Sequence, residues 1–387
     1  MESHLAVTAI YFRFIRFSLE LDEGRDFLDG TALRGFDWEA FYDFAAKQTL
    51  LGVTFDGVRR LPKAVAPSLG LLGSWLAASQ QIKQRNKQLN EATAAISRRV
   101  EAGGYRCCVL KGQGNATMYP NPSARTPGDV DVWVDASREE IRALARLLVQ
   151  GCGHVDEESL SHIGLTLNEV LVELHATPGF MAHFVYNYRL QHWLRRNVET
   201  QCAHRVALPG GADEVAVPTV AFNVVYQLYH LYHHYFYEGV GLRQVIDYYF
   251  VVRQWRAEHT GDEDLATLQC DLRRMGLWAF ARAMMYVLHE VMGLPDPQMM
   301  APMDARRGRM LLDDILAGGN FGHYYVHHAW TGSANGANGG ARRALRHNLL
   351  RLCRDVRLLR HYPAEALSEP LFRLWHWWWR RKNGEQT

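Results

Sequence analysis

Two aspartates lie two residues apart in residues 128–134, GDVDVWV, whose alternating apolar and polar residues are typical of a half-buried β-strand. Residues two apart on a strand point to the same face, so Asp129 and Asp131 are expected side by side. Adjacent carboxylates repel each other unless a positive charge lies between them. A hard cation such as Mg²⁺ binds carboxylate oxygens and completes its coordination with phosphate oxygens. The spacing therefore predicts a metal site.

A loop rich in Gly, Asn, Pro and Ser precedes this strand and carries two cations, Lys111 and Arg125. Backbone amides and fixed positive charges in such a loop can hold a polyphosphate. For Lys111 the alternative is a solvated loop lysine, and for Arg125 it is a salt bridge to a site aspartate. Metal and phosphate ligands would then lie within about 20 residues, which is inside the span of a single βαβ-type unit.

Glu173 is the candidate for a third carboxylate at this site. Residues 161–167 and 170–175 read as two strands of a hairpin, and Glu173 lies in the otherwise apolar run VLVELH. A charge in an apolar strand is costly unless it is paired or metal-bound. The alternative is a solvent-facing glutamate.

His162 and His175 are candidates for orienting site groups, although a lone strand histidine is more often packed or at the surface.

These segments together resemble the nucleotidyltransferase fold shared with DNA polymerase β, and more closely the family of uncharacterised nucleotidyltransferases. The signature of that family resembles L-K-G, then Y-P, then R-x-x-G-D-[IV]-D-[LV]-x-V. The matching residues here are Leu110-Lys111-Gly112, Tyr119-Pro120, Arg125 and Gly128-Asp129-Val130-Asp131. The E-L-H run at Glu173 and an L-R-x-x-x-D run with Arg243 and Asp247 also resemble the family. The wider superfamily has Gly-Ser where this chain has Lys111-Gly112, so its grip on the triphosphate does not carry over.

The resemblance implies a metal-dependent nucleotidyltransferase that moves a nucleoside monophosphate group from a nucleoside triphosphate, ATP being favoured, to a hydroxyl of an unidentified acceptor. Asp129, Asp131 and Glu173 would be both the catalytic and the metal-binding residues, with Mg²⁺ or Mn²⁺ as the cation. The cofactor-binding candidates are Lys111, Gly112, Arg125, Gly128, His162 and Arg243. The alternatives are phosphoryl or sugar transfer on the same fold, or a non-catalytic nucleotide-binding or antitoxin-like partner protein.

Four further segments have no single assigned role. Arg243 and Asp247, four residues apart, would pair on a helix surface or line the far wall of a nucleotide cleft. His230 and His234 have a spacing that suits zinc, but their aromatic surroundings favour helix packing. Residues 318–322, GGNFG, resemble a family loop without an evident role. The Trp-rich tail is predicted to be a terminal helix that packs its indoles onto the helical domain. The alternative is an interface with a membrane or a partner protein.

The elements around the site predict an α+β fold with a small mixed-sheet core between helical flanks. We expect an N-terminal helical region over residues 1–102, the nucleotidyltransferase core over 103–215, and a C-terminal helical domain over 216–387. Asp37 and Ser137 are predicted helix N-caps, Ser137 with Glu140 as a capping box. Residues 69–100 predict a long helix whose polar middle, 80–90, is exposed.

Composition excludes several classes of protein. The 387 residues carry a net charge of only +2, and their Lys and Arg pairs are scattered, so bulk nucleic acid is not the expected partner. Six cysteines without a CxxC pair argue against a disulfide framework or structural zinc and fit a reducing cytoplasm. The sequence has neither a convincing signal peptide nor an apolar run of membrane-spanning length.

A small metabolite, glycan or peptide acceptor would enter a cleft between the core and the aromatic residues 226–237.

Overall fold

Helices form the chain before the sheet in this computed structural model, which describes residues 2–210, 213–319 and 356–383. They are α1 (Glu2–Ser18), α2 (Arg25–Leu28), α3 (Trp38–Lys47), α4 (Leu51–Val58) and α5 (Leu69–Ala102), with a 3₁₀ turn at Thr31–Leu33. The Asp37 side chain accepts a hydrogen bond from the Ala40 amide and caps α3, which confirms the predicted N-cap.

The long helix α5 supports the loop that leads into the site. Its polar middle was predicted to be exposed, and this is wrong for Asn86 and Asn90, which are buried. The Asn86 side-chain amide donates to the carbonyl oxygens of Ser123 (3.0 Å) and Arg125 (2.8 Å). Asn90 donates to the carbonyl of Pro209 at 2.9 Å. Buried amides of this kind satisfy loop carbonyls that would otherwise lack a partner.

A five-stranded mixed sheet follows α5. Its strands are β1 (Cys107–Leu110), β2 (Val130–Val134), β3 (Gly153–Glu158), β4 (His162–Leu167) and β5 (Val170–His175), in the order β1-β2-β5-β4-β3. Between them lie α6 (Gly112–Ala116), a 3₁₀ turn at Pro122–Ala124 and α7 (Arg138–Leu148). β2 and β5 run parallel, and the other neighbours run antiparallel. The predicted capping box of Ser137 and Glu140 is present at the start of α7.

The two faces of the sheet have different neighbours because its strands alternate. Val130, Val132 and Val134 pack into an apolar cluster with residues of α5 and α7. Asp131 and Trp133 therefore point to the other face. Asn168 and Glu169 join β4 to β5 with positive φ angles of 46° and 66°, as in the tight turn of a β-hairpin.

The chain after the sheet is mainly helical. It contains α8 (Phe184–Ala203), the small hairpin β6 (Arg205–Ala207) and β7 (Glu214–Ala216), α9 (Val220–Tyr237), α10 (Leu242–Glu258), α11 (Asp262–Arg274), α12 (Trp278–Met292), a 3₁₀ turn at Asp296–Gln298, α13 (Ala305–Gly318) and the C-terminal helix (Pro363–Asn383). One apolar cluster contains residues from both ends of the chain, including Phe14, Phe41, Tyr226 and Phe280. The predicted α+β class with helical flanks is confirmed.

None of the helices in the described residues is both long enough and apolar enough to cross a bilayer.

Candidate active site

Three carboxylates meet on the face of the sheet opposite α5 and α7. Asp131 in β2 lies directly beside Glu173 in β5, because these two strands pair in parallel with those residues in register. Asp129 immediately precedes β2. One carboxylate oxygen from each of the three lies within 4.8 Å of the others. Asp131 is buried, whereas Asp129 and Glu173 are partly exposed, so the acidic trio is open to solvent.

Two cationic side chains contact Asp131. Lys111, between β1 and α6, places Nζ 3.0 Å from Asp131 Oδ2. His175, two residues after Glu173, places Nε2 3.1 Å from Asp131 Oδ1 and 3.3 Å from Glu173 Oε2. Lys111 has a φ of 54°, which is unusual for a residue with a side chain. The backbone thus turns sharply where the lysine enters the acidic trio.

Protonation in this cluster follows from burial and neighbouring charge. The charge of Asp131, followed by burial, raises the pKa of Asp129 to about 6. Burial alone would raise the pKa of Asp131, but Lys111 and His175 outweigh it and hold that pKa below its ordinary value. Burial alone would lower the pKa of His175, but hydrogen bonds to Asp131 and Glu173 outweigh it and raise it to about 9. Asp131 is therefore ionised, and Lys111 and His175 balance its charge. The negative charge of Asp129 is balanced only in part.

Arg125 forms a buried salt bridge. Its Nε and Nη2 donate to the two oxygens of Asp247 in α10, at 2.8 and 2.7 Å. The Tyr119 hydroxyl donates to Asp247 at 2.7 Å. The aspartate bound by Arg125 is thus Asp247 rather than a member of the acidic trio. The suggested surface pairing of Arg243 with Asp247 is not formed, because Asp247 faces inward to Arg125.

Arg243 lies on the same wall of the site. It is buried, and its Nη1 donates to the carbonyl of Thr126 at 2.8 Å. An added Cβ at Gly128 would lie 3.7 Å from that Nη1, so Gly128 and Arg243 are neighbours. Within the described part of the chain, Arg243 Nε and Arg125 Nη1 are buried without a hydrogen-bond partner. Both can therefore donate to an anion that enters the site.

A cavity of about 530 Å³ lies between the sheet and α9. All the predicted site residues line it, namely Lys111, Gly112, Arg125, Gly128, Asp129, Asp131, His162, Glu173 and Arg243. Tyr226, Tyr229 and the three histidines of α9 form the opposite wall. The expected cleft between the core and the aromatic helix is present. Phe180 and Glu238 also line the cavity but were not predicted from the sequence. For Glu238 the available signal was its four-residue spacing from His234, and for Phe180 there was none.

The α9 histidines line the cavity with different partners. His230 Nε2 is 3.3 Å from Lys111 Nζ, and His234 Nδ1 is 2.7 Å from Glu238 Oε2. Burial, with a further effect from Lys111, lowers the pKa of His230 well below its ordinary value, so this ring is neutral. The His230 ring also lies against the rings of Tyr226 and His234, with centroids 6.2 and 4.1 Å away.

Two predicted segments lie at the edge of the described chain. Gly318 ends α13, while residues 320–322 of the GGNFG run lie outside the described residues. In the tail, Phe372 stacks on Phe180 with ring centroids 5.0 Å apart. Trp375 and Trp378 are 45% and 55% exposed, so each of these two side chains is only about half covered.

Comparison with known families matches residues 34–293 to a family described as uncharacterised nucleotidyltransferase. No curated protein matches the chain. Among solved structures, an antigenic nucleotidyltransferase-like protein from Paracoccidioides brasiliensis shares 13% identity, covering 58% of this chain and 97% of that chain, with a TM-score of 0.34. That likeness is too low to carry functional weight. The family match spans more than half of the chain and includes the acidic trio, Lys111 and Arg243.

Proposed function

The chain belongs to the family of uncharacterised nucleotidyltransferases, and on that premise we propose that it transfers a nucleoside monophosphate group from a nucleoside triphosphate, ATP being favoured, to a hydroxyl acceptor. The observation that carries most weight is the position of Asp131 beside Glu173 on parallel strands, with Asp129 close to both. The free thiols of the described chain fit a reducing compartment, so we place this activity in the cytoplasm.

The donor atoms of the acidic trio suit a hard divalent cation. Three carboxylate oxygens lie within 4.8 Å of one another, and Mg²⁺ and Mn²⁺ favour oxygen ligands. Asp129, Asp131 and Glu173 would hold the ion. When bound, it would neutralise charge on the triphosphate and make an acceptor hydroxyl more acidic.

The other side chains of the cavity would position the two substrates. Within the described residues, Arg243 and Arg125 each have a buried N–H group without a protein partner, and these groups would donate to phosphate oxygens. Lys111 would offer its ammonium to the triphosphate from the edge of the acidic trio. Glu173 is partly exposed, whereas Asp131 beside it is buried, and Glu173 would accept the proton of the acceptor hydroxyl. The acceptor would lie against the aromatic wall of α9.

Thermal unfolding with and without Mg²⁺ and ATP tests this function. The double variant Asp129→Asn/Asp131→Asn should lose the metal-dependent stabilisation by ATP that the natural chain shows. The matched control is Asp262→Asn/Asp264→Asn, an exposed pair of aspartates with the same spacing at the start of α11. If the site double variant keeps the full ATP shift, the nucleotide binds elsewhere. Release of pyrophosphate marks nucleotidyl transfer, whereas phosphoryl transfer to the acceptor would leave the nucleoside diphosphate.

A further inference from the structure

A second group of metal-ligating side chains lies beside the acidic trio on the same face of the sheet. In the pairing of β4 with β5, His162 is directly across from His175, and Gly164 is directly across from Glu173. Glu173 and His175 are two residues apart, so they point the same way. Because Gly164 has no side chain, the space in front of Glu173 is left to His162 and His175.

The ligand atoms of this group converge on one carboxylate oxygen. His162 Nδ1 and His175 Nε2 are each 3.3 Å from Glu173 Oε2. Donor atoms of all three residues lie within 4.8 Å of one another. Ligands bonded to one ion at about 2.0–2.2 Å are separated by no more than roughly 4.4 Å, so small side-chain movements suffice. All three side chains line the cavity, which gives a cation access from solvent.

We propose that His162, Glu173 and His175 bind a first-row transition-metal cation at a site separate from the all-oxygen site of Asp129 and Asp131, with Glu173 shared between the two. Two imidazoles and one carboxylate favour ions such as Zn²⁺, Co²⁺ or Fe²⁺. Mg²⁺ prefers oxygen ligands and gives up its water reluctantly, so it is a poor ion for this set. This inference goes beyond the proposed function because it concerns cation binding without nucleotide.

The charges around the two sites also differ. Lys111 places its ammonium against Asp131 and His230, so a cation bound by the acidic trio has to share Asp131 with it. A cation at the histidine site draws its ligands from β4 and β5 and leaves the contact of Lys111 with Asp131 in place. His175 would then release its Nε2 proton to solvent and exchange its contact with Asp131 for the metal. The histidine site can therefore fill before nucleotide and Mg²⁺ reach the acidic trio.

Cobalt is the probe, because its visible spectrum reports binding and X-ray absorption identifies imidazole ligands. The full-length protein is titrated with Co²⁺ in a large excess of Mg²⁺ and without nucleotide. The natural chain should retain one Co²⁺ with nitrogen ligation. His162→Gln should weaken this binding by at least about tenfold, since losing even an outer partner of a metal ligand costs roughly 10–100-fold. The control is His154→Gln, an exposed histidine on β3 of the same sheet, which should bind like the natural chain.

His162 is the residue to change first because it is less buried than His175, so its variant is expected to fold. Displacement of Co²⁺ by Mg²⁺, a spectrum without nitrogen ligands, or equal binding by His162→Gln and His154→Gln would each overturn the histidine site. The ATP shift with Mg²⁺ is measured on the same samples. Its absence from the natural chain, with nitrogen-ligated Co²⁺ present, would count against the nucleotidyl transfer and leave the histidine site standing.

Discussion

At the residue scale, the buried pair Arg125–Asp247 joins the phosphate-side loop to α10. The exposed fraction of each side chain is only 4% and 6%, and two hydrogen bonds connect them. A buried charge that loses its partner is strongly destabilising, whereas an apolar replacement of both partners is often tolerated. The pair therefore holds the loop in place before any ligand binds.

Asp247→Asn should lower the free energy of unfolding by about 3–5 kcal/mol, because it leaves Arg125 buried and uncompensated. Urea denaturation measures the change. Glu199→Gln is the control: it removes one partner of the exposed pair with Arg106 and should cost less than about 1 kcal/mol. The double variant Arg125→Met/Asp247→Leu should recover much of the loss. Equal losses in Asp247→Asn and Glu199→Gln would show that the buried pair does not hold the fold.

Sequence patterns located the acidic trio but not most of its contacts. Alternation placed Asp129 and Asp131 on one face, and an acid in an apolar run marked Glu173. Which strand lies next to β2 depends on the path of the chain through α7, β3 and β4, and periodicity carries no such information. The salt bridge of Arg125 joins residues 122 positions apart, so only the folded chain reveals it.

At the element scale, the C-terminal helix docks on α9 through one buried carboxyl group. The hydroxyls of Tyr232 and Tyr237 donate to Glu365 at 3.2 and 3.1 Å. Burial raises the pKa of Glu365 from 4.5 to about 7, and the two hydrogen bonds only partly oppose this. The folded chain thus holds this proton more tightly than the unfolded chain. The protonated Glu365 therefore stabilises the folded chain fully below pH 4.5, and this contribution to the free energy of unfolding is lost as the pH rises through about 7.

Glu365→Gln removes this titration and should flatten the pH dependence of stability. Relative to the natural chain, its free energy of unfolding should rise by on the order of 2 kcal/mol between about pH 5 and pH 8. Denaturation in urea across this range measures the difference. Glu139→Gln, an exposed glutamate in α7, corrects for the change in net charge. Parallel curves for Glu365→Gln and the natural chain would contradict the assigned proton.

Three elements were predicted wrongly or missed. The polar middle of α5 looked exposed, but Asn86 and Asn90 are buried because they bind loop carbonyls. The strand β3 and helix α8 were not predicted at all. β3 carries the polar run GHVDEE at the edge of the sheet, where alternation with a buried face is weak.

At the scale of the whole molecule, net positive charge is small, and several arginines of the described chain are paired with neighbouring carboxylates. Arg106 pairs with Asp135 and Glu199, and Arg138 and Arg142 share Glu158. Binding to a nucleic-acid backbone needs a concentrated basic surface. The arginine pairs and the net charge of only +2 therefore argue against binding to bulk nucleic acid.

Titration with single-stranded and duplex RNA and DNA near physiological salt should therefore give no sub-micromolar binding. Fluorescence anisotropy of labelled oligonucleotides measures this directly. Tight binding that weakens steeply with added salt would contradict the charge argument and make tRNA-type acceptors the leading candidates.

Gln48, directly after α3, connects segments that are synthesised far apart in time. Its side chain accepts from the Leu242 amide (2.9 Å) and donates to the Ile315 carbonyl (3.2 Å), 194 and 267 positions further along the chain. A ribosome adds about 5–20 residues per second, so these bonds form roughly 10–60 s after Gln48 is made. Throughout that interval Phe14 and Phe41 lack the C-terminal partners of their apolar cluster. We therefore expect the nascent N-terminal helices to keep apolar side chains exposed to solvent until α13 has been synthesised.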